Sequence, residues 1–235
     1  MEYISSFVWE KGSRMENEDA FCIREMERDG KSYLFAAVCD GIGGLEEGKN
    51  AATFTISFLR DALPEFLEQY PEPVSGRQMK RFFLRKIFAC HERVRRYGTN
   101  RKIKLGTTLS MLVLTGDKGF LFHTGDSSIY VGKQKLKKKT KDQRNKKGAL
   151  VRAIGAGNFY RPYVKKLCIC KGTSILLCSD GFSGKNESFL CKKEFLKNMG
   201  SSKERMQNKL EQITKETLLR KEADNITAVF IKRIK

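Results

Sequence analysis

The apolar pattern of the chain predicts an α+β fold in which two antiparallel sheets pack face to face with helices on the outside. Three observations lead there. Strand-like segments come in runs and do not alternate strictly with helices, which disfavours a doubly wound parallel sheet. Two long helical patterns stand between the first and second runs of strands. A final strand pattern follows a last helical stretch, so both sheets must draw strands from distant parts of the chain.

The elements follow in order. Apolar alternation over Tyr3 to Trp9 reads as a strand, and Met1-Glu2-Tyr3-Ile4-Ser5 lacks the positive stretch and apolar core of a secretory signal. Ala20 to Ile23 and Tyr33 to Cys39 are the next two strands. Then the period changes. Ala51, Thr55, Phe58, Ala62 and Phe66 recur at helical spacing, as do Met79, Phe83, Ile87, Cys90 and Val94. The second of these helices opens on Ser75-Gly76-Arg77-Gln78, a capping box. Leu109 to Leu114, Phe120 to Thr124, Ile129 to Val131, Tyr163 to Cys170 and Ser174 to Cys178 return to strand character. One or two helices come next, with Ser201-Ser202-Lys203-Glu204 as a capping box ahead of the stripe Met206, Leu210, Ile213 and Thr217. Ile226 to Ile231 closes the chain.

Length and composition set the class. The 235 residues suit one domain spanning 1–235, and no window approaches the roughly 18 unbroken apolar residues of a membrane span. A soluble cytoplasmic protein is expected. The seven cysteines, Cys22, Cys39, Cys90, Cys168, Cys170, Cys178 and Cys191, are odd in number and mostly embedded in apolar runs, so they read as reduced core residues. Cys168-Ile169-Cys170 is the only close pair, and without a second pair or a nearby His it is read as packing. Lys and Arg number 46 against 27 Asp and Glu, a net charge of +19 that implies an anionic partner.

The acidic residues matter for where they fall. Val38-Cys39-Asp40-Gly41-Ile42-Gly43-Gly44 is an apolar run that stops at an Asp and turns. Leu176-Leu177-Cys178-Ser179-Asp180-Gly181 repeats it, His123-Thr124-Gly125-Asp126-Ser127 varies it, and Asp224-Asn225 stands just before the closing strand. A single strand-end Asp-Gly is usually only a turn. Four such rims brought together would repel unless a cation sat among them, and carboxylates with backbone carbonyls are the ligand set of hard ions such as Mg²⁺ or Mn²⁺. Arg14-Met15-Glu16-Asn17-Glu18-Asp19-Ala20 adds two adjacent carboxylates before a strand, with an Arg upstream that could clamp phosphate.

In order, Arg14-x-x-Asn17-Glu18-Asp19-Ala20, Asp40-Gly41-x-Gly43-Gly44 with Gly48 and Ala51-Ala52, Gly106-Thr107-Thr108, Gly125-Asp126-Ser127, Ser179-Asp180-Gly181 and Asp224-Asn225-Ile226-Thr227 resemble the PPM-type (type 2C) Ser/Thr protein phosphatases, their bacterial members above all. The resemblance implies a four-layer α/β/β/α sandwich of two antiparallel sheets flanked by helix pairs. It implies two ions, Mn²⁺ or Mg²⁺, with Asp40 bridging them, Asp180 and Asp224 completing the first, and the Gly41 carbonyl with Glu18 serving the second through water. Asp19 would order a metal-bound water, Arg14 would hold the phosphate, and Asp126 with Asp180 would hold a weak third ion. Water activated between two cations attacks phosphorus in line, so no side-chain nucleophile is required. Consistently, no Cys-x5-Arg loop occurs, and His91 and His123 read as structural. Phosphoproteins made by a Ser/Thr kinase are the implied partners, and a monomer is expected.

The chain departs from the family pattern in three places. Ser128 follows Ser127 where an Arg is usual, and Thr140-Lys141-Asp142-Gln143 lacks the usual His. Only eight residues separate Asp142 from Val151, where the family carries a flap of a few tens of residues, so the flap near 143–150 is expected to be shortened. The alternative reading from another class is a basic interaction or nucleic-acid-binding module on a catalytically weak phosphatase-like fold. Its basis is the run Lys133-x-Lys135-x-Lys137-Lys138-Lys139-x-Lys141-x-x-Arg144-x-Lys146-Lys147, which contains no aromatic residue for base stacking.

Overall fold

The computed structural model describes residues 3–42, 47–157 and 161–234. Gly43 and Gly44 of the first Asp-Gly motif lie outside the described residues. The elements run β1 (Tyr3–Glu10), β2 (Asp19–Arg28), β3 (Lys31–Asp40), α1 (Gly48–Arg60), α2 (Ala62–Gln69), α3 (Gly76–Arg101), β4 (Leu109–Thr115), β5 (Lys118–Thr124), β6 (Ser128–Gly132), β7 (Lys137–Lys138), β8 (Tyr163–Cys168), β9 (Ser174–Cys178), α4 (Asp180–Ser183), α5 (Glu187–Leu190), α6 (Lys193–Met199), α7 (Lys203–Leu219) and β10 (Ile226–Arg233).

Two five-stranded sheets form, in the orders β1-β10-β9-β6-β7 and β2-β3-β4-β5-β8, and every pairing is antiparallel. Strand alternation explains why the central strands are apolar at nearly every position. On β3, Leu34, Ala36 and Val38 face the other sheet, where they meet Ile129, Leu177, Val229 and Ile231. The intervening Tyr33, Phe35, Ala37 and Cys39 face outward onto Ala52, Leu59, Phe66, Phe83 and Ile87 of α1, α2 and α3. The second sheet does the same, placing Leu176, Cys178, Ala228 and Phe230 against Phe182, Phe195, Met206, Leu210 and Ile213 on its helical side. The expected four layers are therefore three apolar interfaces built from one alternating code.

Several local expectations are corrected. The helical stripe from Ala51 to Phe66 is two helices. Pro64 has no N–H to give to the carbonyl of Arg60 and its ring crowds that carbonyl, so the chain breaks at Asp61 and restarts. The capping box at Ser75 is present in full, with Gln78 and Ser75 each bonding the other's backbone. The second cap sits one residue later than expected: Ser202 accepts from the Arg205 amide, and because Arg205 stands at the third helical position there is no reciprocal box. Three short helices, α4 to α6, and the two-residue strand β7 escape periodicity because each is too short to show a period.

The cysteines are all free, yet Cys168 and Cys170 are exposed, because β8 is an edge strand that ends at Cys168. Their pairing as packed core residues is overturned. Among the described residues no helix is long and apolar enough to cross a membrane.

Candidate active site

Strand register gathers the acidic rims at one end of the sandwich. Asp19 opens β2 directly opposite Asp40, which closes β3. Ser128 pairs with Cys178, so Asp126 just before β6 lies beside Asp180 just after β9. Ala228 pairs with Cys178 as well, which brings Asp224, two residues ahead of β10, to the same end. β1 runs beside β10 with Glu10 opposite Ile226, and the turn after it delivers Arg14, whose Nε lies 3.1 Å from Asp224 Oδ1.

The residues between these rims lock them in place. The Asp40 amide donates to Thr108 Oγ1 at 2.9 Å, and the Asp40 carbonyl accepts from the Thr108 amide and from Thr107 Oγ1, both at 2.9 Å. Thr108 Oγ1 is also 2.6 Å from Ser127 Oγ, which ties the Asp40 and Asp126 rims together. Asn225 performs the same service on the other side. Its Oδ1 accepts from the Glu18 amide at 2.9 Å, while its Nδ2 donates to the carbonyls of Lys11 and Glu16. A Cβ at Gly41 would stand 2.6 Å from the Gly48 carbonyl carbon and 2.8 Å from the Glu18 carbonyl oxygen, so only glycine lets these three segments meet. Ser179 accepts from the Thr227 amide at 3.0 Å and joins β9 to β10 at the rim.

One carboxylate oxygen from each of Asp40, Asp126 and Asp180 lies within 4.8 Å of the others. These three, with Arg14, Asp224 and Arg144, line a cavity of about 530 Å³. Glu18 faces a neighbouring cavity that shares Arg14 and is bordered by Glu16, Gly48 and Lys49. Asp19 is buried beneath the cluster at 4% exposure. Gly41 meets Thr107 across a single bridge, with its amide donating to the Glu18 carbonyl at 3.2 Å.

The electrostatics follow from crowding like charges in a partly buried place. Burial, with the charges of Asp224 and Asp180 adding to it, pushes the Asp19 carboxyl up to about 7. Burial and then the charges of Asp19, Asp180 and Asp126 hold Asp40 well above the usual carboxylate range. Asp126 is pushed up to about 6 by burial and Asp180, against the opposing pull of Arg144. Asp180 is raised by burial and then by Asp224, and Glu18 by burial. Both oxygens of Asp19 and Oε2 of Glu18 are buried without a hydrogen-bond partner among the described residues. Such a set is costly alone and is relieved by a divalent cation, which the all-oxygen donor chemistry suits. The residues present therefore fit the hard metal ions expected of them.

One residue at the site was not anticipated in that role. Arg144, counted only as part of the basic run, reaches both Asp126 and Asp180, the latter at 2.8 Å from its Nη2. A signal was available: Arg144 is the one arginine in a run otherwise cationic through lysine, and a guanidinium suits carboxylate geometry better than an ammonium does. The two histidines are structural as read. His123 lies between Ser110 Oγ at 3.1 Å and the Lys141 carbonyl at 3.2 Å, and His91 Nδ1 accepts from the Gly155 amide at 3.1 Å.

Comparisons with known proteins bear on the family and the fold. A family model described as "Protein phosphatase 2C" matches residues 11–222. No curated protein matches. Among solved structures, the chain is similar to PppA, described as a key regulatory component of T6SS in Pseudomonas aeruginosa, at 23% identity and TM-score 0.77, over 99% of this chain and 98% of that one. The Mycobacterium tuberculosis serine/threonine phosphatase PstP/Ppp is similar at 21% identity and TM-score 0.75, with 100% of both chains covered. The serine/threonine phosphatase Stp1 from Staphylococcus aureus is similar at 18% identity and TM-score 0.81, over 100% of this chain and 96% of that one. At these identities the structural likeness speaks for the fold.

Proposed function

The chain belongs to the protein phosphatase 2C family, a family of metal-dependent protein Ser/Thr phosphatases, and we propose that it hydrolyses phosphoserine and phosphothreonine in proteins at the cleft lined by Asp40, Asp126, Asp180 and Asp224. The observation that carries this reading is the convergence of Asp40, Asp126 and Asp180 within 4.8 Å from three separate strand ends. Two divalent cations, Mn²⁺ or Mg²⁺, would supply the Lewis acidity that makes water nucleophilic at neutral pH and neutralises charge on the phosphoryl oxygens.

In this reading Asp40, Asp180 and Asp224 would hold the first ion, and Asp40 with the Gly41 carbonyl and Glu18 would hold the second. Asp19, opposite Asp40 and buried, would orient the attacking water, with both of its carboxylate oxygens free of other hydrogen-bond partners among the described residues. Arg14, half exposed at the mouth of the cleft, presents its guanidinium to the phosphate. Its bond to Asp224 aims it at the ions' edge of the cleft before substrate arrives. Thr108 and Asn225 are positioning residues that keep Asp40 and Glu18 at the rim.

The test is hydrolysis of a phosphothreonine peptide and of p-nitrophenyl phosphate with Mn²⁺, after EDTA, and with Asp40→Asn. Turnover should require added Mn²⁺ or Mg²⁺ and fall by several decades in Asp40→Asn. Full activity after exhaustive chelation would refute the reading.

A further inference from the structure

The segment after β7 forms a short, braced arm. Gln143 is clasped to Gly125 in both directions: its amide donates to the Gly125 carbonyl at 2.9 Å, and its Oε1 accepts from the Gly125 amide at 3.0 Å. The chain then doubles back, with the Val151 amide bonding the Gln143 carbonyl at 2.9 Å, Arg144 bridging Leu150, and the Asn145 amide bonding the Ala149 carbonyl at 2.8 Å. Asn145 Oδ1 accepts from the Lys147 and Ala149 amides at 2.9 and 3.1 Å and closes the tip. The arm is pinned at Gly125, next to Asp126, and this sets its one arginine beside the acidic corner. There Arg144 Nη2 bridges Asp126 Oδ2 and Asp180 Oδ2, the latter at 2.8 Å, while Nη1 donates back to the Gly148 carbonyl at 2.8 Å.

We propose that Arg144 is a tethered cation that permanently takes the corner between Asp126 and Asp180, so that this chain seals with its own guanidinium the place where a third divalent ion would otherwise bind. The inference rests on the metal-dependent reading of the cleft and fixes how many ions it holds. Asp126 is 4% exposed, and a carboxylate that deep must be neutralised by a proton, an ion or a paired side chain. A guanidinium remains charged at every accessible pH, and its planar fork can engage two carboxylates at once, as it does here. Nη2 stands between Oδ2 of Asp126 and Oδ2 of Asp180, so the guanidinium and an ion shared by these two carboxylates would compete for one corner. A flexible lysine would compete poorly with a metal for this corner, but the bonds that brace the arm hold Arg144 there with little entropy left to lose. Asp40, Asp224 and Glu18 are not engaged by Arg144, and its contact with Asp180 is through Oδ2 alone, which leaves Oδ1 of Asp180 with them for the two other ions.

The deciding measurement is the number of Mn²⁺ ions bound per chain at millimolar Mn²⁺, by isothermal titration and by electron paramagnetic resonance of free Mn²⁺. The wild type should saturate at two, Arg144→Ala should gain a third and weaker ion, and Arg144→Ala combined with Asp126→Asn should return to two. Arg144→Gln repeats the comparison with a side chain that can still bond Gly148, and circular dichroism checks that each variant keeps its fold. A third ion in the wild type that Asp126→Asn removes would overturn the proposal, as would an unchanged count in both Arg144 variants. The counts do not depend on turnover: a protein that binds Mn²⁺ in these numbers but hydrolyses no phosphoester would leave Arg144 in place and sink the phosphatase reading alone. Absence of Mn²⁺ binding in every variant would overturn both.

Discussion

At the residue scale, the site is governed by how closely oxygens are forced together. Gly48 shows this most directly, because a Cβ there would lie 2.5 Å from Glu18 Oε2 and 3.2 Å from the Ile42 carbonyl. The carboxylate of Glu18 is thus cradled against bare backbone at the start of α1. Gly48→Ala should push Glu18 aside and weaken the second ion about tenfold, the scale typical of losing a metal site's supporting contact. Arg14→Ala acts differently. Arg14 touches Asp224 yet remains half exposed, so its loss should raise KM for phosphopeptides while Mn²⁺ binding by calorimetry persists. If Arg14→Ala lost Mn²⁺ as fully as Asp40→Asn, the guanidinium would be holding the ligands together and not the phosphate.

At the element scale, β5 owes part of its stability to a histidine that must stay neutral. The Lys141 carbonyl can only accept, so His123 carries its proton on Nε2 and takes the Ser110 hydroxyl on Nδ1, and burial lowers its titration to about 4. The sign follows from the depressed value. Protons bind the unfolded imidazole first, so the contribution of His123 is whole above about pH 6.5 and is lost as pH falls toward 4. For this buried ring the swing is about 3 kcal/mol at most, taking 1.36 kcal/mol per unit. The buried carboxylates titrate over the same range with opposite sign, so the comparison must be with a variant. The Tm advantage of the wild type over His123→Gln should shrink between pH 6.5 and 4, and a constant difference would show that His123 is not neutral in the fold.

At the scale of the whole molecule, the net charge of +19 is spread unevenly, and the basic run divides by what each residue meets. Arg144 enters the acidic cleft. Lys138 is held by Asp142 at 3.0 Å and Glu187 at 3.3 Å, so it secures the edge strand β7. Lys133, Lys135, Lys137 and Lys139 border a separate groove with Cys168 and Thr173, away from the carboxylates. Exposed charge acts over about 8 Å at physiological salt, so these lysines should influence encounter more than chemistry. Replacing Lys133, Lys135 and Lys137 with Gln should lower kcat/KM for acidic phosphopeptides and flatten its salt dependence, with p-nitrophenyl phosphate turnover unchanged. Salt-sensitive binding of RNA that vanishes in the same variant would favour the nucleic-acid reading instead, and unaltered salt dependence would make the run a solvated edge.

What could be read from the chain alone was whatever depends on neighbours in sequence. β3, β9 and β10 were legible as unbroken apolar runs, and parity along each strand then sets which of the two covered faces a side chain takes. The cap at Ser75 needed only Gln78 three residues away. The carboxylates at the strand ends were legible because a buried run that stops at Asp-Gly must surface there. The break before Pro64 was equally present in the sequence, but the continuous apolar stripe concealed it. Tertiary structure alone decided which rims meet. The registers Asp19 to Asp40 and Ser128 to Cys178 depend on which strands become neighbours, and that is settled by the burial of both faces of each sheet at once. It also decided that Cys168 and Cys170 lie exposed at an edge, and that one arginine of a basic run turns inward. The charge of Arg144 was plain in the sequence, but its partners Asp126 and Asp180 lie 18 and 36 residues away along the chain, and only the folded rims and the arm clasped to Gly125 bring them within reach.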